Sequence, residues 1–142
     1  MNRKWKIVAW TASIVALGAV AYVFGIEGYR KAHHEAAFSA LVGVQVPAGV
    51  RVTQYASAVN DNLFHIAHFW LLEGDADSLR KIVAGTRFGR SDEDARWFLP
   101  EAGALFDLKL TPKDLAEGYE SDDARNRWFL VLKGQQQAIY VQ

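Results

Sequence analysis

The chain contains no cysteine. That removes a disulfide scaffold, a thiolate metal site, a cysteine nucleophile and a lipid-modified N-terminal cysteine from consideration. It leaves the compartment open, because a cysteine-free chain is at home on either side of a membrane. Net charge is absent too, since 16 Lys and Arg balance 16 Asp and Glu. The balance conceals an asymmetry. Residues 1–31 hold five basic side chains against Glu27 alone, giving +4, and residues 32–142 hold 11 against 15, giving −4. A mildly acidic domain lacks the basic face that phosphates require, so nucleic acid is not an expected partner.

Charge is missing altogether from Ile7 to Ile26, a run of twenty residues whose polar members are Thr11 and Ser13. At about 1.5 Å per residue, such a run spans the roughly 30 Å hydrocarbon layer of a bilayer. Trp5 and Trp10 lie near one end and Tyr22 and Tyr29 near the other, where aromatic rings favour the two interfaces. Arg3, Lys4 and Lys6 precede the run, and Glu27 comes before Arg30 and Lys31 after it. The positive-inside rule then predicts an inner-membrane anchor with its N-terminus in the cytoplasm and its C-terminal domain periplasmic or extracytoplasmic. Ala19-Val20-Ala21 satisfies the small-x-small rule of a signal peptidase site. The apolar run outlasts the usual h-region and continues through Phe24, which favours a permanent signal anchor.

Glu27 to Leu41 holds strong helix formers and no proline, with Tyr29, Ala32, Ala36, Ala37, Ala40 and Leu41 at three- and four-residue spacing. This predicts one helix from Lys4 to Val42, roughly 58 Å long at 1.5 Å per residue, ending near Gly43 as a stalk. The expected division is therefore an anchor and juxtamembrane helix over 1–43 and a domain over 44–142 that folds by itself. About 100 residues can bury enough surface to do so.

The domain is expected to be α+β, an antiparallel sheet with one main packed helix. Val50 to Val59 alternates like a strand, with Val50 and Val52 on one side and Arg51, Thr53 and Tyr55 on the other. Asn60-Asp61-Asn62 is a turn cluster, and the apolar run Leu63 to Leu72 reads as a central strand. Asp75 or Asp77 can cap a helix carrying Leu79, Ile82 and Val83 inward, with Gly85 at its end. Thr86 to Pro100 reads as a long connection with one helical turn after Ser91. Thr111-Pro112 looks like an N-cap with proline at N1, giving a short helix to about Tyr119. Arg127–Lys133 and Gln137–Gln142 flank Gly134-Gln135-Gln136 as a hairpin. Trp70 and Trp128 are expected to be buried on neighbouring strands.

No constellation singles out a reaction. His65 and His68 point to opposite faces of a strand, and His33 and His34 diverge around a helix, so neither pair chelates a metal unaided. The stretch Gly85 to Arg90 has two arginines but lacks the ending of a phosphate loop. Asp92/Glu93/Asp94 and Asp122/Asp123 read as solvated loop or helix starts. No cofactor, metal or catalytic residue is expected. Aromatics are abundant, and Phe88, Trp97 and Phe98 in the long connection are candidate contact residues beside Arg87, Arg90 and Arg96. In the membrane run, Ala12, Ala16 and Ala19 offer small residues that let another helix approach. The expected function is a non-enzymatic accessory subunit of a larger inner-membrane complex of respiratory, photosynthetic or transport type. Its partners would be membrane lipid and other membrane-protein subunits. A tethered periplasmic binding or immunity-type inhibitor module is the second possibility.

Overall fold

The computed structural model describes residues 3–59, 66–84, 86–123, 126–134 and 136–142, with side chains from Ala9 onward. The turn expected at Asn60–Asn62, the first residues of the Leu63–Leu72 run and the helix end at Gly85 lie outside the described residues. The chain divides into two compact units, 1–33 and 34–142.

The first unit is helix α1, Arg3–Ala32. Its 24-residue segment Ala9–Ala32 is long and apolar enough to cross a membrane, and none of its most apolar window is buried by the rest of the protein. Ile14, Leu17, Tyr22, Val23 and Phe24 all stand exposed. Ser13 satisfies its hydroxyl on the Ala9 carbonyl one turn back, at 2.9 Å, so it adds no unsatisfied polar group to that surface.

The expected single helix from Lys4 to Val42 is two helices. A turn at His33 separates α1 from α2, His34–Val42, which belongs to the second unit. There α2 is part of the core rather than a solvated stalk: Ala37, Phe38 and Val42 are buried. Phe38 is completely enclosed and meets Trp70 and Tyr140 edge-on at 5.5 and 5.3 Å. Gly43, at φ 74°, ends the helix in the left-handed region, and its N–H bonds back to Ser39 O.

The second unit is built on a six-stranded sheet: β1 (Val50–Val59), β2 (Ile66–Gly74), β3 (Phe88–Arg90), β4 (Leu115–Ser121), β5 (Trp128–Leu132) and β6 (Gln137–Val141). The spatial order is β1-β2-β6-β5-β4-β3, and every adjacent pair is antiparallel. The fold is α+β, as the residue pattern implies. β1 keeps its expected limits, but a bulge between Val52 and Gln54 changes its phase. One extra residue turns the following side chain over, so Tyr55 is buried beside Val50 and Val52 instead of opposite them.

Helices cover both faces of the sheet, not one. α2 and α3 (Ala76–Arg80) lie on the face that carries Trp70, Leu72, Phe129, Val131 and Tyr140. Asp75 caps α3, its carboxylate accepting the Ser78 N–H at 2.9 Å, and Leu79, Ile82 and Val83 point into the core. α4 (Asp92–Ala104) lies on the other face, over Leu71, Leu130, Leu132 and Ile139. This helix replaces most of the expected connection. It runs through Pro100, and buried Leu99, Ala102 and Gly103 hold its second half on the sheet.

Two further expectations are corrected. Pro112–Asp114 forms one 3-10 turn, closed by the Asp114 carboxylate accepting the Thr111 N–H and hydroxyl at 2.7 Å, and the chain then becomes β4. Strand pairing from Leu115 to Ser121 overrides the local helix signal. Trp70 is fully buried on β2, but Trp128 is half-buried on β5 and serves the opposite face, and β6 separates the two strands.

Candidate interaction surfaces

On α1, Ala12, Ala16 and Ala19 are all exposed. Their spacing of four and three residues places them along one side of the helix. Gly18, Gly25 and Gly28 have open space where a side chain would stand. From Ala9 to Ile26 the helix surface carries no charge on any side, which suits lipid or another helix rather than water.

The structure separates the three aromatic candidates of the expected connection. Phe88 is in β3 and half-buried on the α2/α3 face, 6.0 Å from the Tyr140 ring and with the Arg127 guanidinium 5.4 Å above it. Phe98 is in α4, half-buried on the other face between Phe69 at 6.2 Å and Trp128 at 6.0 Å. Both rings complete the core. Trp97, also in α4, is 77% exposed. The reason is helical geometry: Ala95, Leu99 and Ala102 share the buried side, and Trp97 stands away from it.

A charged network that sequence spacing does not reveal ties the helices to the sheet edge. Arg80 of α3 grips Glu117 of β4 with two nitrogens, Nε at 3.1 Å from Oε2 and Nη2 at 2.6 Å from Oε1. Tyr119 donates its hydroxyl to Glu117 Oε2 at 2.6 Å. Arg90 of β3 reaches the same oxygen at 3.7 Å and lies 5.3 Å from the Tyr119 ring centre. Its Nε donates to Asp92 Oδ1, and that oxygen also accepts the Gly118 N–H at 2.8 Å. The Arg80 and Tyr119 hydrogen bonds hold the Glu117 carboxyl down at about 2 against the cost of its burial. Arg90 likewise lowers Asp92, and burial raises Tyr119. Both Glu117 oxygens are saturated with donors, so the cluster is a clamp and offers no general base. Arg80 and Glu117 lie 37 residues apart, and no local pattern could have joined them.

Of the remaining polar candidates, His68, His33 and Asp123 are engaged locally, and His65 lies outside the described residues. His68 Nδ1 lies 2.8 Å from the Tyr55 hydroxyl. The His33 ring stacks on Tyr29 at 4.3 Å. Asp123 pairs with Arg127 and accepts the Ser121 hydroxyl at 2.9 Å. A shallow polar depression of about 510 Å³ where β2 ends is lined by Glu73, Asp75, Lys133 and Gln137. Arg51 and Gln137 occupy Glu73, and the Ser78 N–H occupies Asp75. Among the described residues no three His, Asp or Glu side chains converge.

No family model matches the chain, and neither a curated protein nor a solved structure shows significant similarity to it.

Proposed function

We propose that the protein is a non-enzymatic, single-pass accessory subunit of a larger inner-membrane complex. α1 is its anchor, the N-terminus is cytoplasmic, and residues 34–142 form an extracytoplasmic docking domain. The observation that supports this reading most is the contrast between α1 and the second unit. α1 exposes apolar side chains all round, while the domain covers both faces of its sheet and commits its charged cluster to internal clamps. An anchor without a pocket chemistry is what a docking subunit requires. The side of α1 with Ala12, Ala16 and Ala19 would pack against a partner helix, where close approach rather than hydrophobicity drives association. Arg3, Lys4 and Lys6 support the orientation.

Purification of the full chain in mild detergent, with mass spectrometry of what accompanies it, tests the reading. A fixed stoichiometry with other membrane proteins is expected, and replacing Ala12 and Ala16 with leucine should release the chain from them. A lone monomer overturns it. A reporter active only outside the cytoplasm, fused after Gln142, should be active. Activity of a cytoplasm-only reporter at that position overturns the orientation.

A further inference from the structure

The outer side of α4 has a composition that the inner side does not explain. Around the helix axis, at about 100° per residue, Glu93, Asp94, Glu101 and Ala104 all fall within roughly 60° of Trp97. All five residues are exposed. The neighbouring Arg96 is a full step of about 100° away. This side therefore carries three carboxylates, one indole and no basic side chain. Asp94 receives one long contact, from the Ser91 hydroxyl at 3.4 Å. Glu93 and Glu101 lie one turn before and one turn after Trp97, about 12 Å apart along the axis at 1.5 Å per residue.

An indole left 77% exposed contributes little to the fold beyond what alanine would. Flanking carboxylates make it a poor lipid anchor, because anionic headgroups are repelled. The same carboxylates fit a cation. A guanidinium over the indole face gains from the ring quadrupole, and a glutamate on either side can accept its N–H groups. Tryptophan is also among the residue types that most often dominate binding energy at interface centres.

We infer that this side of α4 docks a basic segment of a partner protein, with an arginine or lysine stacked on Trp97 and further cations near Glu93 and Glu101. The inference rests on the docking-subunit reading and names the chemistry of what the domain meets. A partner helix with basic residues at four-residue spacing matches the spacing of Glu93, Trp97 and Glu101.

The test uses the full chain in phosphatidylcholine nanodiscs, with empty discs as control. The probe is an alanine-based helical peptide carrying arginines four residues apart, and a glutamine counterpart serves as the negative. The arginine peptide is expected to bind and to weaken with salt. Trp97→Ala should lower the affinity at least tenfold, Glu93→Gln and Glu101→Gln severalfold each, and the glutamine peptide should not bind. All three positions are exposed, so the variants should keep the parent melting curve. Equal binding to parent and Trp97→Ala, or no binding to the parent, overturns the inference. So does a dimer of the parent that Trp97→Ala dissolves, since the occupant is then a second copy. Failure of the docking-subunit reading has a separate signature: the parent purifies alone from its native membrane. A parent that co-purifies with partners unaffected by Trp97→Ala overturns only the α4 inference.

Discussion

The two faces of the sheet solve the same covering problem with opposite materials. On the face beneath α2 and α3, one lateral row runs Tyr55, Trp70, Tyr140, Phe129 and Tyr119 through five successive strands, and Arg90 on the sixth completes it. Neighbouring rings in that row lie 5.5 to 6.4 Å apart, at tilted or edge-on angles that aromatic pairs favour. On the face beneath α4, the matching row is Leu71, Ile139, Leu130 and Gly118. Rings fill space outward from the sheet, so two short helices with a few large residues suffice to close the first face. Aliphatic and small residues let a longer helix lie close on the second. At Gly118 the approach is so close that a Cβ would come within 2.3 Å of the Ala95 Cβ and 3.0 Å of the Ser91 carbonyl. The lesson is that α2 is indispensable to the aromatic face, whereas the aliphatic face depends on what is absent from it.

The sharpest way to break this comparison is to remove α2. A chain of residues 34–142 should unfold cooperatively, and a chain of residues 44–142 should not. Loss of Phe38 alone corresponds to about 3–5 kcal/mol, and Val42 adds about 1.5–3 kcal/mol. Together they approach the roughly 5–15 kcal/mol of a whole domain. The side chain of Gln142, which donates to the Leu41 carbonyl at 3.0 Å, loses its partner as well. Thermal melts followed by circular dichroism decide the matter. Equal cooperativity in both chains would return α2 to the role of a stalk.

The next effect separates the two tryptophans. Trp70→Ala should cost about 3–5 kcal/mol, because the ring is completely enclosed among Phe38, Tyr55 and Tyr140. Trp128→Ala should cost clearly less, about 1–2 kcal/mol, since that ring is half-buried beside Phe98 at the margin of the other face. Urea denaturation of the two variants gives the comparison directly. Equal losses would mean that the two faces are closed equally well.

A third variant attacks the aliphatic face through its gap. Gly118→Ala places a methyl group against Ala95 and the start of α4, and overpacking of this kind costs about 1–3 kcal/mol. Ala95→Gly should restore part of the loss, so a double-mutant cycle should show a coupling of at least about 0.5 kcal/mol. Strict additivity would show that α4 shifts freely and that the close approach is not required.

The same contrast explains what could be read from residues alone. β1 was legible because its apolar and polar residues alternate, and β5 and β6 because two short apolar, aromatic runs flank a glycine-containing turn. The cap of α3 was legible as one of two aspartates, Asp75 or Asp77, and it is Asp75 that accepts the N–H three residues later. α4 was not, because it docks through Ala95, Ala102 and Gly103, whose small side chains leave almost no apolar signature, and because Pro100 reads as a stop. The helical state of α2 and its end at Gly43 were legible, but its place in the core was not, because its alanine-rich stripe reads as a weak surface until Phe38 is seen to close the core. Of the candidate contact residues, Trp97 remains exposed, while Phe88 and Phe98 were drawn into opposite faces by tertiary contacts that no spacing within 88–98 encodes.

The smallest expected effect concerns the clamps, and it links the two faces through pH. Glu117 holds α3 to the sheet through Arg80, and Asp92 holds the start of α4 through the Gly118 N–H. Both carboxyls are lowered in the folded protein, Glu117 from about 4.5 to about 2. A carboxyl lowered by folding stabilises the protein above its unfolded pKa and loses that contribution as pH falls through its folded pKa. Glu117 should therefore contribute fully at neutral pH and progressively less between about pH 4.5 and about pH 2. Glu117→Gln keeps the shape and removes the charge. Breaking a buried pair can cost about 3–5 kcal/mol. The Arg80 side chain is 36% exposed, so solvent screening reduces this to about 1–2 kcal/mol at pH 7. Urea midpoints of parent and variant, measured from pH 7 to pH 2, should start apart and converge in acid. Asp92→Asn should show the same convergence. If Glu117→Gln runs parallel to the parent at every pH, the charge on Glu117 does not hold α3, and the hydrogen bonds alone do. If Glu117→Gln converges and Asp92→Asn does not, only the aromatic face is clamped by charge. The long helix on the aliphatic face is then held by close packing alone.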